Sequence, residues 1–345
     1  MSLSDALARQ AEACASLGSP FMGRMLPLLT EVWPEGSALD RAVQAFEGDI
    51  GPSGHSLPLR LASALHALVL TGKDADLIAA YPPNNVSEEV LKTVLTSALS
   101  RHEMFLIQWI TSPPQTNEVR RSAVLIAGTH ALVKRTGVTQ VHLSELGASA
   151  GLNLMFDHYA LEADGTRLGP DDAALTLAPD WSGPAPVNAP FTVTDRRGVD
   201  LNPLDPHNAD HALRLRAYLW ADQAHRVALT DAAIRVNRAE VDRSDAVDWL
   251  EGRLADAPQG RMHLIYHTVA WQYFPAERQA TGTALIEAAG ARATPETPLA
   301  WLRMEADGHA RGASVTARLW PGDHHIILGR ADFHGRWVEW TGDPH

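Results

Sequence analysis

Apolar positions in the first 135 residues recur every three or four places, the spacing of helices that bury one face. The pattern predicts helices over residues 6–17, 59–70, 88–99, 101–110 and 120–136. Local signals agree. Ser87 stands where an N-cap is needed, Thr71-Gly72 and Gly137 close two of the segments, and Pro113-Pro114 ends another. No stretch before residue 139 alternates as a half-buried strand does. After it the texture changes. Short apolar runs at 139–146, 191–201, 239–243 and 262–269 read as strands, separated by helical patterns at 152–159, 210–238 (broken once), 246–254 and 276–289. Further strands are predicted at 298–305, 313–319, 325–328 and 336–340, and residues 160–195 read as a β insertion with a turn at Asp164-Gly165. Strands alternating with helices and then clustering predict an α/β fold: a mostly parallel sheet with an antiparallel edge over 138–345, preceded by an all-helical region over 1–137.

The densest chemical signal lies where the first strand hands over to the next helical pattern, Glu145-Leu-Gly-Ala-Ser-Ala-Gly-Leu-Asn153. Gly147 and Gly151 flank small residues. Such a turn lets backbone approach a ligand and offers helix N-terminal amides to an anionic group. The same letters spell Gly-x-Ser-x-Gly, the elbow that presents a nucleophilic serine, here Ser149, in hydrolases. An elbow of that kind comes after several earlier strands, which the helical pattern of residues 1–138 does not supply. A third reading is a tight packing turn that holds no ligand. Asp200 ends the second predicted strand and Asp245 ends the third. Parallel strands carry Glu145, Asp200 and Asp245 to one sheet edge, where a carboxylate can accept from ribose hydroxyls or an adenine amino group. Each acid taken singly can equally be a solvated loop residue.

On these residues, region 139–345 resembles the class I (Rossmann-like) S-adenosylmethionine-dependent methyltransferase superfamily. Glu145-Leu-Gly-Ala-Ser-Ala-Gly is similar to its first motif, Gly198-Val-Asp-Leu-Asn202 to the second-strand motif and Ser244-Asp-Ala246 to the third. Ile265-Tyr-His-Thr-Val-Ala-Trp271 lies where a fourth strand ends. The resemblance implies a seven-stranded sheet with its last strand antiparallel. It also implies S-adenosyl-L-methionine held by Glu145, Gly147, Ser149, Gly151, Asn153, Asp200 and Asp245. Ser149 stands where the family's middle glycine is usual. The whole chain, including Gln115-Thr-Asn-Glu118 and Trp220-Ala-Asp-Gln223, also resembles an uncharacterised bacterial family of unknown function.

Methyl transfer needs a positioned nucleophile and sometimes a base. His267, beside the expected sulfonium, is the candidate catalytic base, or else a histidine bonded within its loop. Trp271 and Tyr273 either line an acceptor pocket or cover the sheet. Gln115, Asn117 and Glu118 either cap the helix after them or fold over the glycine turn toward cofactor and acceptor. His207 with His211, and His324-His325, lack a third ligand at metal-binding spacing, so no metal is expected.

Composition narrows the partners. A formal net charge of −12 supplies no basic excess for nucleic acid. Cys14 is the single cysteine, so no internal disulfide forms. No apolar run reaches membrane length, and the N-terminus lacks the basic and apolar regions of a signal peptide, which predicts a cytoplasmic protein with no membrane partner. Three functions are compatible with these readings: a methyltransferase acting on a small-molecule acceptor, a non-catalytic sensor or interaction protein of that fold, or a serine hydrolase using Ser149.

Overall fold

The computed structural model describes residues 1–52, 54–309 and 311–342. They form two compact units, Met1–Thr116 with Pro206–Ala228, and Asn117–Asp205 with Leu229–His345.

The first unit is helical: Leu3–Ser16, Pro20–Glu31, Ala38–Gln44, Leu57–Leu70, Ala75–Ala80, Glu88–Arg101, Glu103–Ile110 and Ala209–Ala217. Side chains of Ser2, Ser19, Ser37, Asp74 and Ser87 each accept the amide three residues on, closing five helix N-termini. Leu57–Leu70 is apolar on nearly every side and is buried accordingly, from Leu57 to Leu68 except Leu59. Three helices were absent from the pattern reading. Pro20–Glu31 carries Pro27 inside it, and Ala38–Gln44 and Ala75–Ala80 span too few turns for a periodic signal.

The second unit is built on strands. They are β1 (Gln140–Leu146), β2 (Tyr159–Ala163), β3 (Thr166–Leu168), β4 (Leu175–Leu177), β5 (Asp180–Ser182), β6 (Thr192–Asp200), β7 (Glu240–Arg243), β8 (Met262–Thr268), β9 (Leu299–Glu305), β10 (Ala313–Trp320), β11 (His324–Ala331) and β12 (Trp337–Trp340). Nine of them form one sheet in the order β5-β12-β11-β10-β9-β8-β1-β6-β7. From β7 to β9 neighbours run parallel, and from β9 to β12 they run antiparallel. The expected α/β sheet with an antiparallel end is present. The expected seven strands with one antiparallel are not: after β9 the chain returns in consecutive short connections, and β5 adds a parallel strand beside β12. The insertion forms a separate sheet, β3-β2-β4, with Asp164 and Gly165 both at positive φ in its hairpin.

The units do not divide at residue 137. Helix Ser122–Thr136 belongs with the sheet, buried from Ser122 to Val133. It lies so close that a Cβ on Gly128 would stand 2.9 Å from Leu302 of β9. Residues 206–228 belong with the helices instead, Ala217 and Trp220 joining that core. The helical stretch expected at 210–238 with one break is present as Ala209–Ala217 and Ala224–Val236. Among the described residues no helix is long and apolar enough to cross a membrane.

Candidate functional site at the end of the first strand

β1 is flanked by β6 and β8, with Glu145 opposite Gly198 on one side and Tyr266 on the other. Beyond Leu146 the chain reverses through three left-handed residues, Gly147 and Gly151 at φ +70° and Ser149 at +53°. The glycines serve packing. A Cβ on Gly147 would approach Ala270 Cβ to 2.6 Å, and one on Gly151 would meet Val241 and Ala239 at 3.0 and 3.1 Å. In place of the helix expected at 152–159, Leu152–His158 winds as 3₁₀ turns broken at Met155.

The sequence reading left the turn's amides open for an anionic group; here they are taken. Gly147 and Ala148 donate to the Val199 carbonyl, and Gly151 to that of Ala148. Ser149 donates to Asp200 Oδ2 at 2.9 Å. Asn117, 7% exposed, accepts from the amides of Ala150 and Leu152 at 3.3 and 2.9 Å through one Oδ1. Asn117 does fold onto the turn, as a clamp on its backbone. Asn237 closes the same loop by donating to the Ala150 carbonyl at 3.1 Å.

Acceptors are left over instead. Glu145 is 2% exposed, and its Oε2 has no hydrogen-bond partner among the described residues. Burial, then the charge of Asp200, raises its pKa well above the ordinary glutamate value, against smaller opposing pulls from Arg121 and Tyr266. Asp200 is half-buried, its Oδ2 holding the Ser149 amide and its Oδ1 the Asn202 amide at 2.8 Å. Each oxygen keeps lone-pair capacity for a further donor. Asp245 lies two residues beyond β7 but is engaged otherwise. It caps helix Ala246–Arg253 and pairs with Arg278, all through Oδ1.

His267 is fully buried at the end of β8, with Nδ1 2.7 Å from Glu305 Oε1 and Nε2 accepting from Trp301 Nε1 at 3.0 Å. The Trp301 bond puts the ring proton on Nδ1. Neither nitrogen is then free to take a proton from a substrate, so this geometry gives no support to a catalytic base here. Glu305 also accepts the amides of Ala270, Trp271 and Gln272 and so fixes the loop after β8. Trp271 stacks on His267 with centroids 5.1 Å apart and joins the core, whereas Tyr273 is 68% exposed. Asn153 is internal: its Oδ1 accepts from Ser122, its Nδ2 donates to the Glu118 carbonyl, and its carbonyl accepts from Tyr266. Glu118 accepts its near neighbour Arg120 through amide and Nε, the capping role. Gln115 is half-buried in the helical unit, after Ile110.

Sequence reasoning missed Arg121 and a buried network under β1. Arg121 donates to the carbonyls of Thr268 and Phe333 and lies close enough to act on the Glu145 charge. In the network Arg253 Nε donates to Ser144 Oγ at 2.9 Å, and Ser144 Oγ bonds His263 Nε2 at 2.8 Å. The alternation of His142 and Ser144 along β1 was the available signal, since both point to one sheet face. Ser144 is fully buried, which makes the network an internal brace. Among the described residues no three His, Cys, Asp or Glu side chains gather to hold a metal ion.

No curated protein and no solved structure matches the chain. A family model does match, over residues 4–340, and its description is an uncharacterized protein conserved in bacteria. With nearly every residue covered by that match, the chain belongs to this bacterial family, DUF2332.

Proposed function

We propose that the chain binds S-adenosyl-L-methionine at the 145–151 turn and passes its methyl group to a small-molecule acceptor. One observation carries the reading: the orphan buried acceptor Glu145 Oε2 lies within electrostatic reach of a second carboxylate, Asp200, at the ends of adjacent parallel strands. A site rich in acceptors suits a ligand bringing positive charge and donors, here a sulfonium, an ammonium and two ribose hydroxyls. The acceptor's lone pair displaces the thioether in line, and the protein's part is to hold the two together. Asn117 and Glu305 serve that part by fixing the loops after β1 and β8. The geometry gives His267 no part in proton removal.

A non-catalytic sensor would use the same binding contacts without an acceptor. Serine hydrolysis stays as a second reading because Ser149 holds the left-handed backbone, φ +53°, of a strained turn residue. Against it, no strand precedes β1 among the described residues. Calorimetry with S-adenosylmethionine and S-adenosylhomocysteine tests the proposal. Binding is expected, and Asp200→Ala is expected to weaken it by about 1–3 kcal/mol. If neither compound binds the wild-type chain, the reading fails. Ester hydrolysis lost in Ser149→Ala would put the hydrolase in its place. Turnover on an acceptor separates enzyme from sensor.

A further inference from the structure

A cavity of about 340 Å³ lies in the sheet unit, apart from the turn. That volume falls within the range of small-molecule sites. Phe191, on its wall, directly precedes β6, whereas Asp200 is the last residue of β6. At about 3.3 Å per residue the two stand roughly 30 Å apart along the strand.

The other walls come from a helix, a 3₁₀ segment, two strands and adjoining loops. Ile126 and His130 belong to helix Ser122–Thr136, Phe156 to the 3₁₀ segment and Leu168 to β3. The lining's polar groups are unequally free. Asp157 is held on both oxygens by Arg196, at 2.7 and 2.8 Å, so its charge is answered. Tyr159 spends its hydroxyl on the Leu152 carbonyl at 2.6 Å. His130 differs. It is 5% exposed, its Nδ1 accepts the Ala189 amide at 3.0 Å, and its ring meets Phe191 edge-on at 5.1 Å. The ring proton therefore sits on Nε2, which has no partner among the described residues. Burial keeps this ring neutral by lowering its pKa to about 4. Arg167 adds a cation, tied among the described residues to the exposed Glu162 at 2.9 Å and, weakly, to Thr176. Aromatic and aliphatic walls, an unengaged imidazole donor and an exposed cation together define a ligand.

We propose that this cavity binds a compact ring-bearing carboxylic acid. Its ring lies against Ile126, Phe156, Leu168 and Phe191, its carboxylate accepts from His130 Nε2–H, and Arg167 supplies the countercharge.

Calorimetric titration of the full chain with benzoate, and with benzylamine as the probe of opposite charge, tests this near neutral pH. Benzoate is expected to bind saturably at millimolar concentration and benzylamine not to bind. His130→Phe, which keeps the ring's bulk and removes the donor, should weaken benzoate roughly tenfold. Should His130→Phe fail to fold, Arg167→Gln alters only an exposed side chain and should weaken benzoate while leaving the melting temperature unchanged. Asp200→Ala should leave benzoate binding intact. The proposal is overturned if wild-type chain shows no saturable benzoate binding, if benzylamine binds equally well, or if Arg167→Gln leaves benzoate affinity unaltered.

Discussion

Glu145→Gln is the substitution whose outcome the structure fixes most tightly. Glutamine matches glutamate in shape but cannot ionise, so the pair isolates the burial of one carboxyl. The folded chain raises the Glu145 pKa well above its ordinary 4.5, burial first and Asp200 second. As pH climbs past the ordinary range, the unfolded chain gives up this proton while the folded chain keeps it. Stability attributable to the group is therefore complete below that range and drains away as pH rises toward the folded value. Within that window each pH unit removes up to about 1.4 kcal/mol from the wild type and nothing from the variant. Urea unfolding of both chains from pH 5 to pH 8, followed by far-ultraviolet circular dichroism, measures the difference. Glu145→Gln should gain on the wild type steadily with pH. Parallel curves, or a wild type that gains on the variant, would refute the account of Glu145 as a buried acid with an unpartnered oxygen.

Three further outcomes are expected. Burial lowers the His130 pKa to about 4 from 6.5, so stability present above 6.5 is lost as pH falls toward 4. His130→Gln should flatten that acid limb in urea melts by up to about 1.4 kcal/mol per pH unit. Asn117→Ala strands the buried amides of Ala150 and Leu152, and a loss of about 2–4 kcal/mol in the same melts is expected. Gly290→Ala would set a Cβ 2.4 Å from the Trp320 ring, a buried side chain with little room to yield, and should cost about 1–3 kcal/mol in thermal unfolding.

The sheet was legible because its buried strands are short apolar runs between glycine and proline signals. β1, β6, β7 and β8 all lie within two residues of the expected bounds. What escaped depended on contacts distant in sequence. Helix Ser122–Thr136 was expected to be amphipathic; it is buried throughout from Ser122 to Val133, and contacts distant in sequence, such as Gly128 against Leu302, assign it to the sheet. The order of strands beyond β9 is likewise set by pairing, which no local pattern encodes. At the site, residue types foretold that Glu145 and Asp200 would share a sheet edge. They were silent on which atoms would already be occupied. Asn117 shows why: its side chain reaches more than thirty residues along the chain to take two amides that a strand-turn motif alone leaves open.

That occupancy reverses the electrical character expected of the turn. A glycine loop read from sequence offers amide donors and invites an anion. With the amides from Gly147 to Leu152 bonded internally, what remains at the strand ends is oxygen. Asp200 uses its carboxylate to hold Ser149 and Asn202, so it is oriented before any ligand arrives and can accept a donor without rearranging. Glu145 is the costlier half. A buried acceptor without a donor weakens a fold, and glutamine or an aliphatic residue at this place would avoid the penalty. Tyr266, next to it on β8, gives its hydroxyl proton to the Asn153 carbonyl at 3.2 Å, and its closeness to Glu145 offsets only a small part of that carboxyl's burial. The position thus keeps an acid with an unpartnered oxygen next to a second acid that raises its cost. In the free chain the retained proton keeps this pair from carrying two charges; the proposed ligand, with its positive charge and donors, would displace that proton and meet both carboxylates.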